Sequence, residues 1–110
     1  MSESQFLYRL QAVRPDMVGV GPSASEEPIL VEHFAYLKNL AEQGVLILAG
    51  RTLNRDESAF GIVIFRADSE RDAGRIMRAD PAVKGGIMRA RLFPYRVALA
   101  GRAGEAPGQG

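Results

Sequence analysis

The 110-residue chain has no cysteine, no tryptophan and a single histidine, and its 14 basic residues nearly balance its 13 acidic ones. Each shortage excludes something. Without cysteine there are no disulfides, no thiolate metal sites and no cysteine nucleophile. One histidine and no cysteine leave a transition-metal site poorly supplied with donors, so no metal is expected. A net charge of +1 gives no electrostatic footprint for nucleic acid or for an acidic membrane surface. No apolar run reaches the length of a membrane span, and residues 1–5 are too polar to begin a signal peptide. A soluble cytoplasmic protein is the expectation. With 46% apolar and 25% charged residues, a chain of this length forms one domain with a modest core.

What is present is organised around residues 28–43, PILVEHFAYLKNLAEQ. Pro28 suits a first helical turn, Glu26 and Glu27 lie just upstream, and Gly44 is the residue type that most readily closes a helix. On a helical wheel Ile29, Leu30, Phe34, Leu37, Leu40 and Ala41 form one apolar arc, opposite Glu32, Lys38, Asn39, Glu42 and Gln43. His33 falls inside the apolar arc. Periodicity leaves two readings open: a core histidine bonded to a backbone carbonyl, or an ionisable group aimed at a site.

The other elements follow in order. Residues 5–13 alternate as a strand, with Phe6, Tyr8, Leu10 and Ala12 on one face and Leu7, Arg9, Gln11 and Val13 on the other. Residues 14–27 have no period and make a long connection, the kind that often serves as a functional flap. Residues 45–50 read as a buried strand, 51–58 as a polar loop, and 59–66 as a strand antiparallel to the first of these. Ser69 caps a second helix that Asp80-Pro81 must end, because the residue before proline is pushed out of the α region. A short turn at 81–84, a break at Gly85-Gly86 and a strand over 88–99, bent at Pro94, complete the domain. Residues 1–99 form that domain, and 100–110 read as a disordered tail. The order β-α-β-β-α-β is the ferredoxin-like α+β arrangement, a four-stranded antiparallel sheet with two helices on one face. Residues 45–49 and 59–65 are apolar on both faces, so a second copy packed sheet to sheet is expected, in preference to an apolar face that binds ligand.

Several local signals are weak. Gly19-Val20-Gly21 lacks the third glycine and the spacing of a phosphate loop. Arg89 and Arg91 share a strand face with Phe93 and Tyr95, but the aromatic consensus for RNA is missing. Arg51 closes a strand and could hold a substrate carboxylate bidentately, or be a solvated strand-end charge. Tyr8 could donate into a cleft or be an ordinary half-buried strand tyrosine, Met77 and Met88 read as core filling, and Asp80 before Pro81 is a favourable helix cap on its own account.

These features together resemble the YciI-like (YCII-related) family of small dimeric α/β-barrel proteins. The likeness is carried by His33 in its helix, LAEQGVLILAG at 40–50, the helix start at 69–73, ADPAV at 79–83 and Phe93-Pro94-Tyr95, and it spans 6–99. The resemblance implies a ferredoxin-like protomer, a homodimer, and an active site on a histidine–aspartate pair, which by motif position is His33 and Asp80. A dechlorinating member and kinship to muconolactone isomerase imply proton transfer on a small cyclic metabolite, by isomerisation or elimination. The implied protein is a lyase- or isomerase-type general acid–base catalyst without a cofactor; Arg51, which the shortest members of the family do not share, is a substrate-binding candidate from its strand-end position alone. The alternative is a non-catalytic ligand-binding or accessory domain. A heme-binding or quinol-oxidising monooxygenase is weaker, since one histidine would have to serve everything.

Overall fold

Along β1 (Ser4–Ala12) the side chains alternate between two environments: Phe6, Tyr8 and Leu10 are buried, while Leu7, Arg9 and Gln11 point the other way. This strand lies inside a four-stranded antiparallel sheet of order β2-β3-β1-β4, formed with β2 (Leu46–Arg51), β3 (Gly61–Ala67) and β4 (Met88–Tyr95). The computed structural model describes residues 4–101. Helices α2 (Glu27–Glu42) and α3 (Glu70–Ala79) cover one sheet face, joined by single-turn helices α1 (Asp16–Gly19) and α4 (Pro81–Lys84). The expected ferredoxin-like α+β fold, the protomer from which dimeric α/β barrels are built, is therefore present. The expected tail at 100–110 lies, from residue 102 onward, outside the described residues.

The core packs Phe6, Tyr8, Leu10, Val63, Phe65 and Ala67 of the sheet against Ala73 of α3, with Leu37, Ile76, Met77 and Val83 around them. Tyr8 meets Phe65 edge-on, centroids 5.5 Å apart and planes at 71°. Pro28 sits in the first turn of α2, as expected. The helix ends in a Schellman motif: Val45 N–H reaches Leu40 O at 3.0 Å, Gly44 N–H reaches Ala41 O at 3.1 Å, and Gly44 takes φ 77°. Ser69 caps α3 by accepting from Asp72 N–H at 3.1 Å.

Four expectations need correction. The 14–27 connection contains a helical turn, α1, whose Met17 is buried. Phe34, assigned to the core arc of α2, is 70% exposed, because the middle of the helix overhangs a cleft there. The strand expected to be buried, β2, is an edge strand exposed from Leu48 on. The last strand stops at Tyr95, short of residue 99, and runs through Pro94, which an edge strand tolerates because its outer side needs no donor.

β2 also carries a one-residue register shift between Leu46 and Leu48. Leu46 lies opposite Phe65 on the helix side, so strict alternation would send Ala49 and Arg51 to the open face. The bulge reverses that parity, and Ala49 and Arg51 come to lie opposite Val63 and Gly61 on the helix side.

The 14–27 connection is tied at its ends. Arg14 donates to both carboxylate oxygens of Glu26, Nη2 to Oε1 at 2.6 Å and Nε to Oε2 at 3.0 Å, and Ser23 N–H adds a bond of 2.8 Å. The Arg14 guanidinium first, and then the Ser23 N–H, pull the Glu26 carboxyl from 4.5 down to about 2. A lowered carboxyl stabilises the fold fully above its unfolded value and loses that contribution as pH falls through the folded one. Paired thermal melts should therefore show Glu26→Gln less stable than the parent at neutral pH, with the difference shrinking as pH falls from 4.5 to about 2.

Candidate functional site

Asp80 is both the last cap of α3 and the first of α4. As the residue before Pro81 it takes extended backbone, φ −60° and ψ 125°, which ends one helix and lets the next begin. Its side chain turns back onto the Ala82 N–H, with Oδ1 accepting at 2.9 Å. The capping role expected of it is thus met, and met by a group with no solvent exposure.

Two further donors converge on the same carboxylate. Tyr8 O–H, from the middle of the sheet, donates to Oδ2 at 2.7 Å. His33 Nδ1, from α2, lies 2.7 Å from Oδ1. Because Asp80 already accepts from Tyr8 and Ala82, it accepts from the imidazole as well, which puts the histidine proton on Nδ1. The His33 side chain is 15% exposed, against 0% for Asp80. Tyr8 therefore does not donate into a cleft, as its position in the strand suggested; it supports Asp80 from behind. Burial, then the Asp80 charge and hydrogen bond, raise the Tyr8 phenol far above its ordinary 10.0, so it stays a donor throughout the working range. Tyr36 O–H, from α2, donates to the Ile76 carbonyl at 2.7 Å, meeting one of the unpaired carbonyls in the last turn of α3.

Gly85 lets α4 close tightly on its own first carbonyl and beside Ile29 of α2. A Cβ there would stand 2.8 Å from the Pro81 carbonyl and 3.3 Å from two atoms of Ile29, the first too close for any real contact.

The imidazole opens onto a cleft of about 750 Å³, between α2, the near end of the sheet and two loops. Leu30, Phe34 and Leu37 line it from α2, Leu10 and Val63 from the sheet, Met17, Val18 and Pro22 from the 14–27 connection (the strap), and Leu53 and Phe60 from the β2–β3 loop. Arg51 lines it as well, delivered there by the bulge, and so does Arg55, which the sequence did not single out. Arg55 sits in a polar loop without periodicity, so only the folding of that loop could locate it. The structure thus brings His33 and Asp80 together and places Arg51 in the same cleft as His33. Among the described residues no group of three or more His, Asp or Glu could hold a metal ion, and no helix is long and apolar enough to cross a membrane.

The YCII-related domain family matches residues 7–95. Among solved structures, the chain is similar to 5-chloro-2-hydroxyhydroquinone dehydrochlorinase (TftG) of Burkholderia phenoliruptrix AC1100, in complex with 2,5-dihydroxybenzoquinone. The two are 21% identical over 84% of this chain and 93% of that one, with a TM-score of 0.62. It is also similar to the uncharacterized protein TM1266 of Thermotoga maritima, 14% identical over 86% of this chain and 98% of that one, TM-score 0.53. At these identities the likeness is one of fold. Among curated proteins none matches.

Two substitutions test the geometry. Tyr8→Phe removes a bond to a buried charged group and should cost about 1.5–3 kcal/mol in urea unfolding, with the backbone fold intact by circular dichroism. Gly85→Ala should distort the α4 turn that follows Asp80 and weaken the Asp80–His33 bond, seen as a changed His33 ring signal in NMR.

Proposed function

The chain belongs to the YCII-related domain family, and on that premise we propose that it is a small acid–base enzyme that needs no cofactor, with His33 as the proton carrier and Asp80 as its positioning group. The observation that carries this reading is one bond: His33 Nδ1 is engaged by a buried carboxylate while the ring lines an apolar cleft. That engagement leaves Nε2 with a lone pair for the occupant of the cleft. Nε2 takes a proton from an acidic C–H or O–H of a small ring, and the released electron pair moves into the ring. The imidazolium so formed stays beside Asp80, whose charge stabilises it. In an isomerisation the same proton returns at another carbon. In an elimination the electron pair expels a leaving group as its anion, and the imidazolium gives its proton to solvent.

The dehydrochlorinase named above supplies a probe for this chemistry. The parent protein is expected to release chloride from 5-chloro-2-hydroxyhydroquinone, or to exchange its ring hydrogens in D₂O. His33→Asn should lower that rate by about 10²–10⁴ without changing the fold. A rate unchanged in His33→Asn would rule out the histidine as proton carrier. Binding of the probe with no turnover would favour a ligand-binding domain instead.

The open sheet face supports a homodimer. Leu7, Leu48, Ile62, Ile64 and Phe93 share it by register, and the described helices all lie on the other side. A second copy laid on this face would cover those side chains, at the roughly 800 Å² per partner of a stable interface. Sedimentation at micromolar concentration should give a dimer for the parent chain and a monomer for Ile62→Glu; a monomeric parent would remove the proposal.

A further inference from the structure

The ionisable lining of the cleft is one-sided: His33, Arg51 and Arg55 face it, and no carboxylate does. Neither arginine forms an ion pair among the described residues. Arg55 reaches only a neutral group, the Gly19 carbonyl, at a long 3.4 Å. The acids nearest in sequence are turned elsewhere. Asp56 is held within its own turn by Ser58 and Asn54, and both Asp56 and Glu57 line an adjoining small hollow that shares Ala12, Val18 and Ala59 with the cleft. Two exposed arginines thus line an apolar-walled cavity with no ion-paired partner among the described residues, and a cleft lined by charge of one sign focuses its field.

We propose that Arg51 and Arg55 form an anion subsite for the carboxylate of an aromatic acid, whose ring lies along the apolar walls toward His33. The placement of Arg51 is built into the strand. Its side has been chosen by the bulge, and the residue opposite is Gly61, where a Cβ would stand 3.3 Å from the Gly50 carbonyl and 3.8 Å from the Arg51 Cβ. A side chain at position 61 would press on the Gly50 carbonyl and only touch the Arg51 Cβ. A guanidinium fork matches the two oxygens of a carboxylate, and an apolar wall suits a ring better than a sugar or a phosphate chain. The cavity, about 750 Å³, takes a substituted single ring with room to spare. The inference rests on the reading above for what happens at the His33 end, but its binding claim stands apart from catalysis.

The test is calorimetric titration of the full chain with 2,5-dihydroxybenzoate and with its neutral counterpart 2,5-dihydroxybenzamide, at fixed ionic strength. The acid should bind at least about tenfold more tightly than the amide, a difference of about 1.4 kcal/mol. In the Arg51→Gln/Arg55→Gln double variant the two should fall within about twofold of each other, while the amide keeps its parent affinity and still shifts the His33 ring signals. Arg51→Lys/Arg55→Lys, which keeps the charge but not the fork, should give an intermediate ratio. Equal affinities in the parent, a ratio that survives the double variant, or no binding of either compound at millimolar concentration would each overturn the subsite. Failure of the catalytic reading looks different: the acid–amide ratio stands, but neither chloride release nor exchange depends on His33.

Discussion

A carboxylate with no access to water is costly unless its charge is met by donors, and Asp80 is met by three. They come from the sheet, the first long helix and the turn that follows Asp80 itself. Because each element donates to the same two oxygens, the carboxylate fixes where β1, α2 and α4 stand relative to one another. The histidine inherits its orientation from that arrangement. A ring held at Nδ1 by a buried acceptor has one tautomer and one free nitrogen, which is the condition for directed proton transfer. No buried side-chain polar atom among the described residues is left without a partner, so this polar cluster inside the core is fully satisfied.

A second constraint shapes the cleft. The bulge in β2 moves one residue out of register and so decides which side chains face the helices. Ala49 opens space above the sheet, and Arg51 brings positive charge to its rim. The strap closes the opposite side through Met17, Val18 and Pro22, and the Arg14–Glu26 pair holds its two ends together. Apolar walls therefore come from α2, the sheet, the 14–27 connection and the β2–β3 loop, while the charged lining comes from His33 of α2, Arg51 at the end of β2 and Arg55 in the loop after it.

Legibility in the sequence followed the range of the interaction. Helix ends were readable because capping is local: Ser69, Gly44 and the Asp80-Pro81 pair act on backbone within a few residues. The alternation of β1 was readable for the same reason. Phe34 was misplaced because periodicity marks a helix face without saying whether anything packs against it, and here a cleft does not. The burial of β2 was misjudged because position within a sheet is a property of pairing order, and an apolar strand reads alike at the centre and at the edge. Tyr8 was noticed, but its partner lies 72 positions along the chain. Arg55 carried no signal at all.

The amino-acid order alone determined the succession of strands and helices, their caps, and the presence of one histidine on an inward-facing helical surface. It did so because backbone hydrogen bonding and amphipathic spacing act between near neighbours. Only the tertiary structure decided that Asp80 meets His33 and Tyr8, that Arg51 turns into the cleft, and that Arg55 joins it. The first is a set of contacts between residues far apart in sequence, made once β1, α2 and α4 have closed on a shared buried charge; the other two follow from the bulge in β2 and the fold of the loop after it.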